Sequence, residues 1–358
     1  MARLAPRWRW LLLWAVSIAA PYTLAEPYLA VETGYQCSQC HVNPTGGGLR
    51  NTFGDLFSQT ELPANLSQMD VWTGTVLERF AIGSDARGSG RQFDFDDRDD
   101  HQDFQVDSVV LYLNATLNEY VSLYVDEQVA PGGSLNRQAW AMLKRGNWYL
   151  KGGKLVLPFG LRLEDDSAFV RAVTGINFDS ADNGIEAGYV GGPWSVQLAV
   201  TNGTAGAAEV DDGKQGSLRA AYVSSRWRVG VSGNYNHTDP VDRGMYGLFA
   251  GLRTGPVSWL AEYDRIDDDG RDSGDVQQNV ALLEAAIRLR KGHYLQLIAE
   301  MNSFDDSDLA SRYRYSAVYA YFPWPFTELR AGFRQRDSND DDASHNASES
   351  FVELHVYF

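Results

Sequence analysis

Polar and apolar residues alternate along most of this chain, from about Val71 to the last residue. The alternation is most regular in residues 226–236, 283–290 and 327–334, where one set of alternate positions is largely apolar and the other largely polar. Such a pattern places one face of a β-strand in an apolar environment and the other in a polar one. It predicts about sixteen strands, near residues 70–82, 104–115, 119–129, 137–145, 147–157, 184–191, 193–201, 216–225, 226–236, 245–254, 256–266, 279–290, 292–303, 312–322, 325–335 and 350–358.

A soluble β-sandwich would show the same local alternation, but three features favour a transmembrane barrel. The polar positions often hold Arg and Glu, as a wet lumen allows, and an even strand count suits a single-chain barrel. Short turns alternate with long loops, at 83–103, 158–183, 202–215, 265–277 and 336–349. The chain ends in Phe358, as barrels recognised for outer-membrane assembly do. We therefore predict an all-β, transmembrane antiparallel barrel over residues 69–358.

Tryptophans near the predicted strand ends fit the aromatic girdles that barrels carry at the two membrane interfaces. These residues are Trp140, Trp148, Trp194, Trp227, Trp259 and Trp324.

Residues 1–25 have the parts of a secretory signal peptide: an arginine-rich start, an apolar stretch at 10–20 and a small-residue cleavage site ending at Ala25. The mature chain would then begin at Glu26. The alternative, a transmembrane anchor, is disfavoured because the apolar run falls short of the about 20 residues that span a bilayer. The expected location is the outer membrane of a Gram-negative cell.

Composition excludes several functions. The formal net charge is −16, whereas a nucleic-acid-binding protein would carry a basic stripe. The chain has only two cysteines, Cys37 and Cys40, which is too few for a disulfide scaffold.

Those two cysteines belong to the pattern Cys37-Ser38-Gln39-Cys40-His41, the C-x-x-C-H signature of c-type haem attachment. Two thiols at this spacing can add to the two vinyl groups of one haem, and the adjacent His41 can ligate the iron. A zinc site needs four ligands, and no second cysteine pair exists. A redox C-x-x-C needs a helix and sheet around it and not a stretch bordered by a barrel, and a simple disulfide would leave His41 unexplained. The sequence predicts one covalently bound haem c in residues 26–68, a segment too small to fold on its own core.

The second axial ligand is left open. Met69 lies just before the first predicted strand, and His355 lies on the predicted lumen face near the C-terminus. Either side chain type can ligate haem iron. A backbone group, a water or an open position fits the sequence equally well, and both residues also have an ordinary structural interpretation.

Aspartates cluster in the long loops, around residues 94–103, 264–275, 305–308 and 337–342. They could concentrate a cationic electron donor such as a divalent metal. The simpler interpretation, which we favour, is solvated loops joined to lipopolysaccharide by divalent cations.

The N-terminal motif resembles that of the outer-membrane fused cytochrome–porins of iron oxidation and extracellular electron transfer. That family reads Ala-x-Pro-x-Phe-Ala-Arg-x-Thr-Gly-aromatic-x-Cys-x-x-Cys-His. The chain matches it at Ala25, Pro27, Ala30, Thr33, Gly34, Tyr35, Cys37, Cys40 and His41, and differs at Leu29 and Val31. The resemblance implies a single haem, held at or inside the barrel, that passes electrons from an external donor, Fe(II) among the candidates, to periplasmic carriers such as soluble cytochromes. Residues 154–160 also resemble segments of general porins.

The expected function is therefore an outer-membrane electron conduit, with residues 26–68 in or across the lumen. An iron-oxidising activity is one form of this function. The alternative is a diffusion porin whose haem segment gates the channel, senses or docks a redox partner. A periplasmic cytochrome with a β-domain is disfavoured by the terminal Phe358 and by the Arg and Glu at lumenal positions.

Overall fold

The structure is a computed structural model that describes residues 26–66, 70–163, 165–209, 212–238, 241–270, 274–306, 309–339 and 345–358. The predicted signal peptide and Met69 lie outside these ranges. No helix in the described ranges is long and apolar enough to cross a membrane.

Sixteen antiparallel strands form a closed barrel, as the alternation predicts. Each strand pairs with its neighbours in sequence, and the last pairs with the first through registers such as Val352↔Gly90. A short strand β1 (Thr75–Val76) precedes the barrel and pairs with its first strand. The barrel strands are β2 (Phe80–Phe95), β3 (His101–Thr116), β4 (Val121–Ala130), β5 (Leu135–Arg145), β6 (Trp148–Leu155), β7 (Asp182–Gly191), β8 (Trp194–Thr201), β9 (Gln215–Val223), β10 (Trp227–His237), β11 (Val241–Thr254), β12 (Val257–Gly270), β13 (Gly274–Arg290), β14 (His293–Phe304), β15 (Arg312–Tyr321), β16 (Thr327–Ser338) and β17 (Ala347–Tyr357).

The outer and inner faces of the barrel differ as lipid and lumen require. In β17, Val352 and Leu354 are 62% and 47% exposed on the outside, whereas Glu353 and His355 are each 2% exposed on the inside. A closed sheet leaves no strand edge unpaired, so its backbone can lie in lipid. The apolar outer face fits a hydrocarbon environment, and charged inner residues pair with one another.

The first predicted strand, at 70–82, is misplaced: β2 begins at Phe80 and continues to Phe95, through much of the predicted loop 83–103. The outward residues in this part of β2 are small, such as Ala86, Gly88 and Gly90, while Asp85 and Arg87 face inward. Because these outward side chains are small, the sequence lacks the bulky apolar residues that would mark every second position of a strand. The predicted loop 265–277 is likewise mostly strand, since β12 and β13 extend to residues 270 and 274.

Two segments fill the lumen. The plug, residues 26–66, contains α1 (Pro27–Thr33), α2 (Cys37–Cys40) and α3 (Thr52–Thr60). The inward loop, residues 156–181, contains α4 (Phe169–Ala172) and a 3-10 turn (Phe178–Ser180). Apolar residues of both segments join those of β11–β14 in one buried cluster. The interior is therefore packed where the plug and the inward loop meet the barrel wall, and it is not an open tube.

Candidate functional site

The C-x-x-C-H motif lies inside the barrel, close to the end that carries the short turns. Nε2 of Gln36 donates to the carbonyl of Gly192 at 2.8 Å. A side chain at Gly34 would collide with the backbone of Ser225. Gly192 and Ser225 belong to the β7–β8 and β9–β10 turns, so the motif is held against two short turns at once.

The helix α2 sets the spacing of the motif. Its start is closed by reciprocal caps between Gln36 and Gln39, and at its end the N–H of His41 donates to the carbonyl of Cys37 at 3.0 Å. Residues three and four apart share a helix face. Cys37, Cys40 and His41 are therefore presented to the same side, as attachment to one macrocycle needs.

Three consecutive glycines form the turn that lies against α2. Gly46, Gly47 and Gly48 have φ angles of +92°, +75° and +64°, a left-handed conformation that side-chain-bearing residues rarely adopt. A Cβ at Gly46 would lie 3.0 Å from that of Cys37, and one at Gly47 would lie 2.6 Å from the Phe178 ring. Glycine is thus required here both for the backbone conformation and for the close approach of the inward loop.

Both cysteines and His41 line a single cavity, part of which is open to solvent. The apolar part of its wall is formed by Leu29, Phe57, Leu62, Leu161 and Phe322. The plug, the inward loop and a short turn each contribute to this wall.

His41 is in the state that ligates a metal. Burial, together with nearby arginines, lowers the pKa of His41 to about 3, so its imidazole is neutral at neutral pH. Its ring is buried beside the backbone of Gly48 and Gly47. A neutral imidazole on the same cavity wall as both thiols fits an axial ligand of a haem attached at Cys37 and Cys40.

Cys37 and Cys40 are free thiols that both line the cavity. Burial raises the pKa of the Cys40 thiol to about 11, so it is protonated at neutral pH. No group of three or more His, Cys, Asp or Glu that could hold a metal ion occurs in the described part of the chain.

His355, one of the two candidates for the second axial ligand, reaches the same cavity. Its Nδ1 lies 2.8 Å from Glu328, and its Nε2 lies 2.9 Å from Asp85. Both ring nitrogens are thus engaged by carboxylates, and neither is free for an iron in this arrangement. Met69, the other candidate, lies outside the described residues.

Sequence reasoning missed the arginines of the cavity. Arg162 comes from the inward loop, and Arg219 and Arg228 come from β9 and β10. Arg50, from the plug, also lines the cavity and stacks on the Tyr357 ring at 4.1 Å. The available signal was Arg at lumenal positions of two neighbouring strands, but the sequence alone does not show that the plug faces those strands.

The plug is tied to the barrel rim on the opposite side as well. Glu32 accepts hydrogen bonds from Arg288 at 2.6 Å and from the hydroxyl of Tyr294 at 3.0 Å. Arg253 donates to the backbone carbonyl of Glu32 at 2.8 Å. The N–H of Ala64 donates to the carbonyl of Phe322 at 2.8 Å. Polar contacts between the plug and the barrel are therefore spread around the rim.

Several of the loop aspartates have internal partners. Arg265 donates to Asp267 and to Asp305, each at 2.9 Å, and Arg243 lies 3.5 Å from Asp268. Parts of the remaining clusters, around 271–273, 307–308 and 340–344, lie outside the described residues.

No protein-family model and no curated protein matches the sequence. Solved structures do match, over most of this chain. An anion-selective porin from Comamonas acidovorans aligns with a TM-score of 0.63 at 11% identity, covering 78% of this chain and 99% of the porin. A loop-deletion mutant of OmpT, an outer-membrane protein of Vibrio cholerae, aligns with a TM-score of 0.62 at 12% identity, covering 78% of this chain and 100% of the mutant.

A third match is OprB of Pseudomonas putida, with a TM-score of 0.57 at 10% identity, covering 78% of this chain and 94% of OprB. At these identities the likeness concerns architecture. The chain has the fold of an outer-membrane porin: a closed, sixteen-stranded antiparallel barrel.

Proposed function

We propose that this protein resides in the outer membrane, carries one c-type haem in its plug and passes electrons across the barrel. The observation that carries the proposal is the single cavity lined by Cys37, Cys40 and His41 inside a barrel with an apolar outer face. The predicted signal peptide supplies the export that haem attachment requires.

The residues present would hold the haem in a defined way. The thiols of Cys37 and Cys40 would form thioether bonds to its vinyl groups, and His41 would be an axial ligand. The bound haem supplies a one-electron redox centre. The plug and the inward loop supply most of the apolar wall of the cavity, and the neutral imidazole of His41 is ready for iron without losing a proton.

The position of the cavity supports electron transfer to carriers on the periplasmic side. The apolar band of such a barrel is about 25 Å tall, and the cavity lies near the short-turn end, which in outer-membrane barrels is periplasmic. Soluble carriers on that side, such as cytochromes, would be close to the haem. Lipid and lipopolysaccharide would surround the barrel.

A second, much smaller cavity adjoins the first and shares Glu26 and Pro27 with it. It lies along the inner wall of β13–β16, and its lining carries both signs of charge: Asp165, Glu284 and Glu300 occur there with Arg314, Arg330 and Arg334. The resemblance of the N-terminal motif to that of the iron-oxidising cytochrome–porins makes Fe(II) the donor that we propose to test first.

Liposomes containing an enclosed electron acceptor test the conduit. Fe(II) or another membrane-impermeant reductant is added outside, and reduction of the enclosed acceptor is followed optically. The haem-loaded protein should reduce the acceptor, whereas Cys37→Ala should not. Ser38→Ala, which alters the motif without removing a haem-binding group, serves as the matched control. Equal rates for wild type and Cys37→Ala would refute the conduit.

A diffusion porin is the second candidate, because the matched structures include a porin that is anion-selective. The packed lumen favours low permeability, since apolar residues of the plug and of the inward loop form one cluster with the barrel wall. Swelling of liposomes in small sugars distinguishes the two functions. Fast swelling with the plug in place would support the porin.

A further inference from the structure

Three buried or half-buried arginines of the cavity donate hydrogen bonds only to backbone carbonyls, although Arg219 also lies over the Phe249 ring and Arg162 over the Phe178 ring. Arg219 donates to the carbonyl of Gly160 at 2.7 Å. Arg228 donates to the carbonyls of Ala30 and Tyr35 in the plug. Arg162 donates to two carbonyls of its own loop, Val156 and Leu157, and its Nη1 has no partner.

No carboxylate among the described residues forms an ion pair with Arg162, Arg219 or Arg228, although most buried arginines of this barrel have one. Of the two acidic residues on the cavity wall, Glu328 is bound to His355. Burial raises the pKa of the other, Glu26, well above its usual range. Four arginines, which include Arg50, thus share the cavity wall with two acidic residues, so the wall has an excess of positive charge.

Such an excess is expensive, because an unpaired buried charge is strongly destabilising. A bound anion removes the cost. Guanidinium groups bind carboxylates through paired N–H donors in a fork, which makes arginine suited to this role. Haem carries two carboxylates, the propionates, on the two adjacent pyrroles that lie opposite its two vinyl-bearing pyrroles.

We propose that Arg162, Arg219 and Arg228 bind the propionates of the haem, and that this pairing joins the inward loop to the barrel wall and the plug. The inference rests on the proposed function, since it requires a haem attached at Cys37 and Cys40. It assigns the orientation of the cofactor: the thioether edge lies at α2 and the carboxylate edge lies at β9, β10 and residue 162.

The pairing has an electrostatic consequence for the iron. Positive charge close to the propionates stabilises the reduced form relative to the oxidised form, and in a buried site it is weakly screened. Arginines bound to propionates therefore hold the reduction potential higher than a neutral side chain would.

The test uses Arg219→Gln, because Arg219 has a single hydrogen bond to the rest of the protein. The haem-loaded, full-length protein is titrated in a spectroelectrochemical cell. The potential of Arg219→Gln should be more negative than that of wild type, and Arg219→Lys, which restores the charge, should recover most of the shift. Arg228→Gln should shift the potential in the same direction.

Arg243→Gln is the matched control. Arg243 also contacts the inward loop, through Val173, but it lies near Asp268 and outside the cavity.

A freely diffusing anion at the same arginines is distinguished by adding inorganic phosphate. The wild-type potential should not change with phosphate concentration, because the propionates are tethered. A phosphate-dependent potential, or an unchanged potential in both Arg219→Gln and Arg228→Gln, overturns the proposal. If Arg219→Gln retains no haem but Arg219→Lys does, the proposal is supported. If both variants lose haem, the potential of Arg228→Gln decides. Absence of haem from wild type would instead refute the proposed function.

Discussion

Burial acts in the same way on two ionisable residues of the plug, by favouring the neutral form of each. It lowers the pKa of His41 to about 3 and raises the pKa of Asp55 to about 6. For His41 the neutral form is the ligand, so burial serves the proposed chemistry. For Asp55 no such benefit is visible: the residue is 1% exposed, and neither carboxylate oxygen has a hydrogen-bond partner.

Asp55→Asn should therefore stabilise the plug at neutral pH. A carboxyl whose folded pKa is raised contributes stability below its unfolded pKa of about 4, and that contribution is lost as pH rises through about 6. The gain from Asp55→Asn should be about 1–3 kcal/mol at pH 8 and should vanish at pH 4. Hydrogen exchange of the α3 amides at the two pH values measures it. The exposed Asp70→Asn is the control, and an equal gain at both pH values would contradict the assignment.

The haem hypothesis comes from five consecutive residues, because haem attachment depends on local spacing, and it stays a prediction. The residues that complete the cavity could not be predicted, since Arg162, Arg219 and Arg228 are brought together only by the fold. Trp140 shows the same limit. Its predicted place is an interfacial girdle, yet it lies in the lumen, 3% exposed and stacked on Tyr124. The plug makes that part of the lumen apolar, so alternation alone cannot tell the two faces apart.

Among the structural elements, the predictions were best where outward side chains are large. In β17 the apolar half of the pattern is formed by bulky residues, and the strand lies close to its predicted position. In β2 the outward positions from residue 84 to residue 90 are Ser, Ala and Gly, and the sequence pattern predicts a loop there. The sequence pattern therefore reveals a strand where its outward side chains are large, whether or not the strand is well paired. The inward direction of residues 156–181 is a tertiary property that the sequence pattern does not encode.

The glycine turn at 46–48 should be intolerant of any side chain. Gly48→Ala places a methyl group against the Tyr124 hydroxyl and forces φ of +64° on alanine. We expect the plug to lose about 1–3 kcal/mol of stability and haem incorporation to fall. Haem content per barrel, measured by optical absorption, records the effect. Gly146→Ala has a similar φ of +60° but nothing near its added Cβ. Equal haem content in both variants would show that the contact with Tyr124 is unimportant.

At the scale of the whole molecule, the barrel differs from an open channel by what fills it. The plug is held by polar contacts at the rim and by apolar packing against the inward loop and the wall. Polar rim contacts are individually weak because they are partly exposed. The packing therefore sets the position of the plug, and the rim contacts limit its fluctuations.

Loosening of the rim can be tested with Glu32→Gln, which removes the ion pair to Arg288 while keeping the side-chain shape. The loss should be about 1 kcal/mol or less. Proteolysis of the plug in detergent-solubilised protein should accelerate by up to several-fold, whereas the barrel remains intact. Glu61→Gln, at an exposed position of the same segment, should not change the rate. If both variants and wild type were cleaved at the same rate, the ion pair between Glu32 and Arg288 would not contribute to holding the plug.

Covalent haem inside a membrane barrel is the claim on which the account depends, and one measurement addresses it directly. The protein is expressed with the cytochrome maturation machinery, purified from outer membranes in detergent, and examined by optical spectroscopy and by haem staining after denaturing electrophoresis. The account predicts a c-type spectrum and a haem-stained band at the mass of the chain, both lost in Cys37→Ala. A colourless wild-type protein recovered as a folded barrel would contradict it.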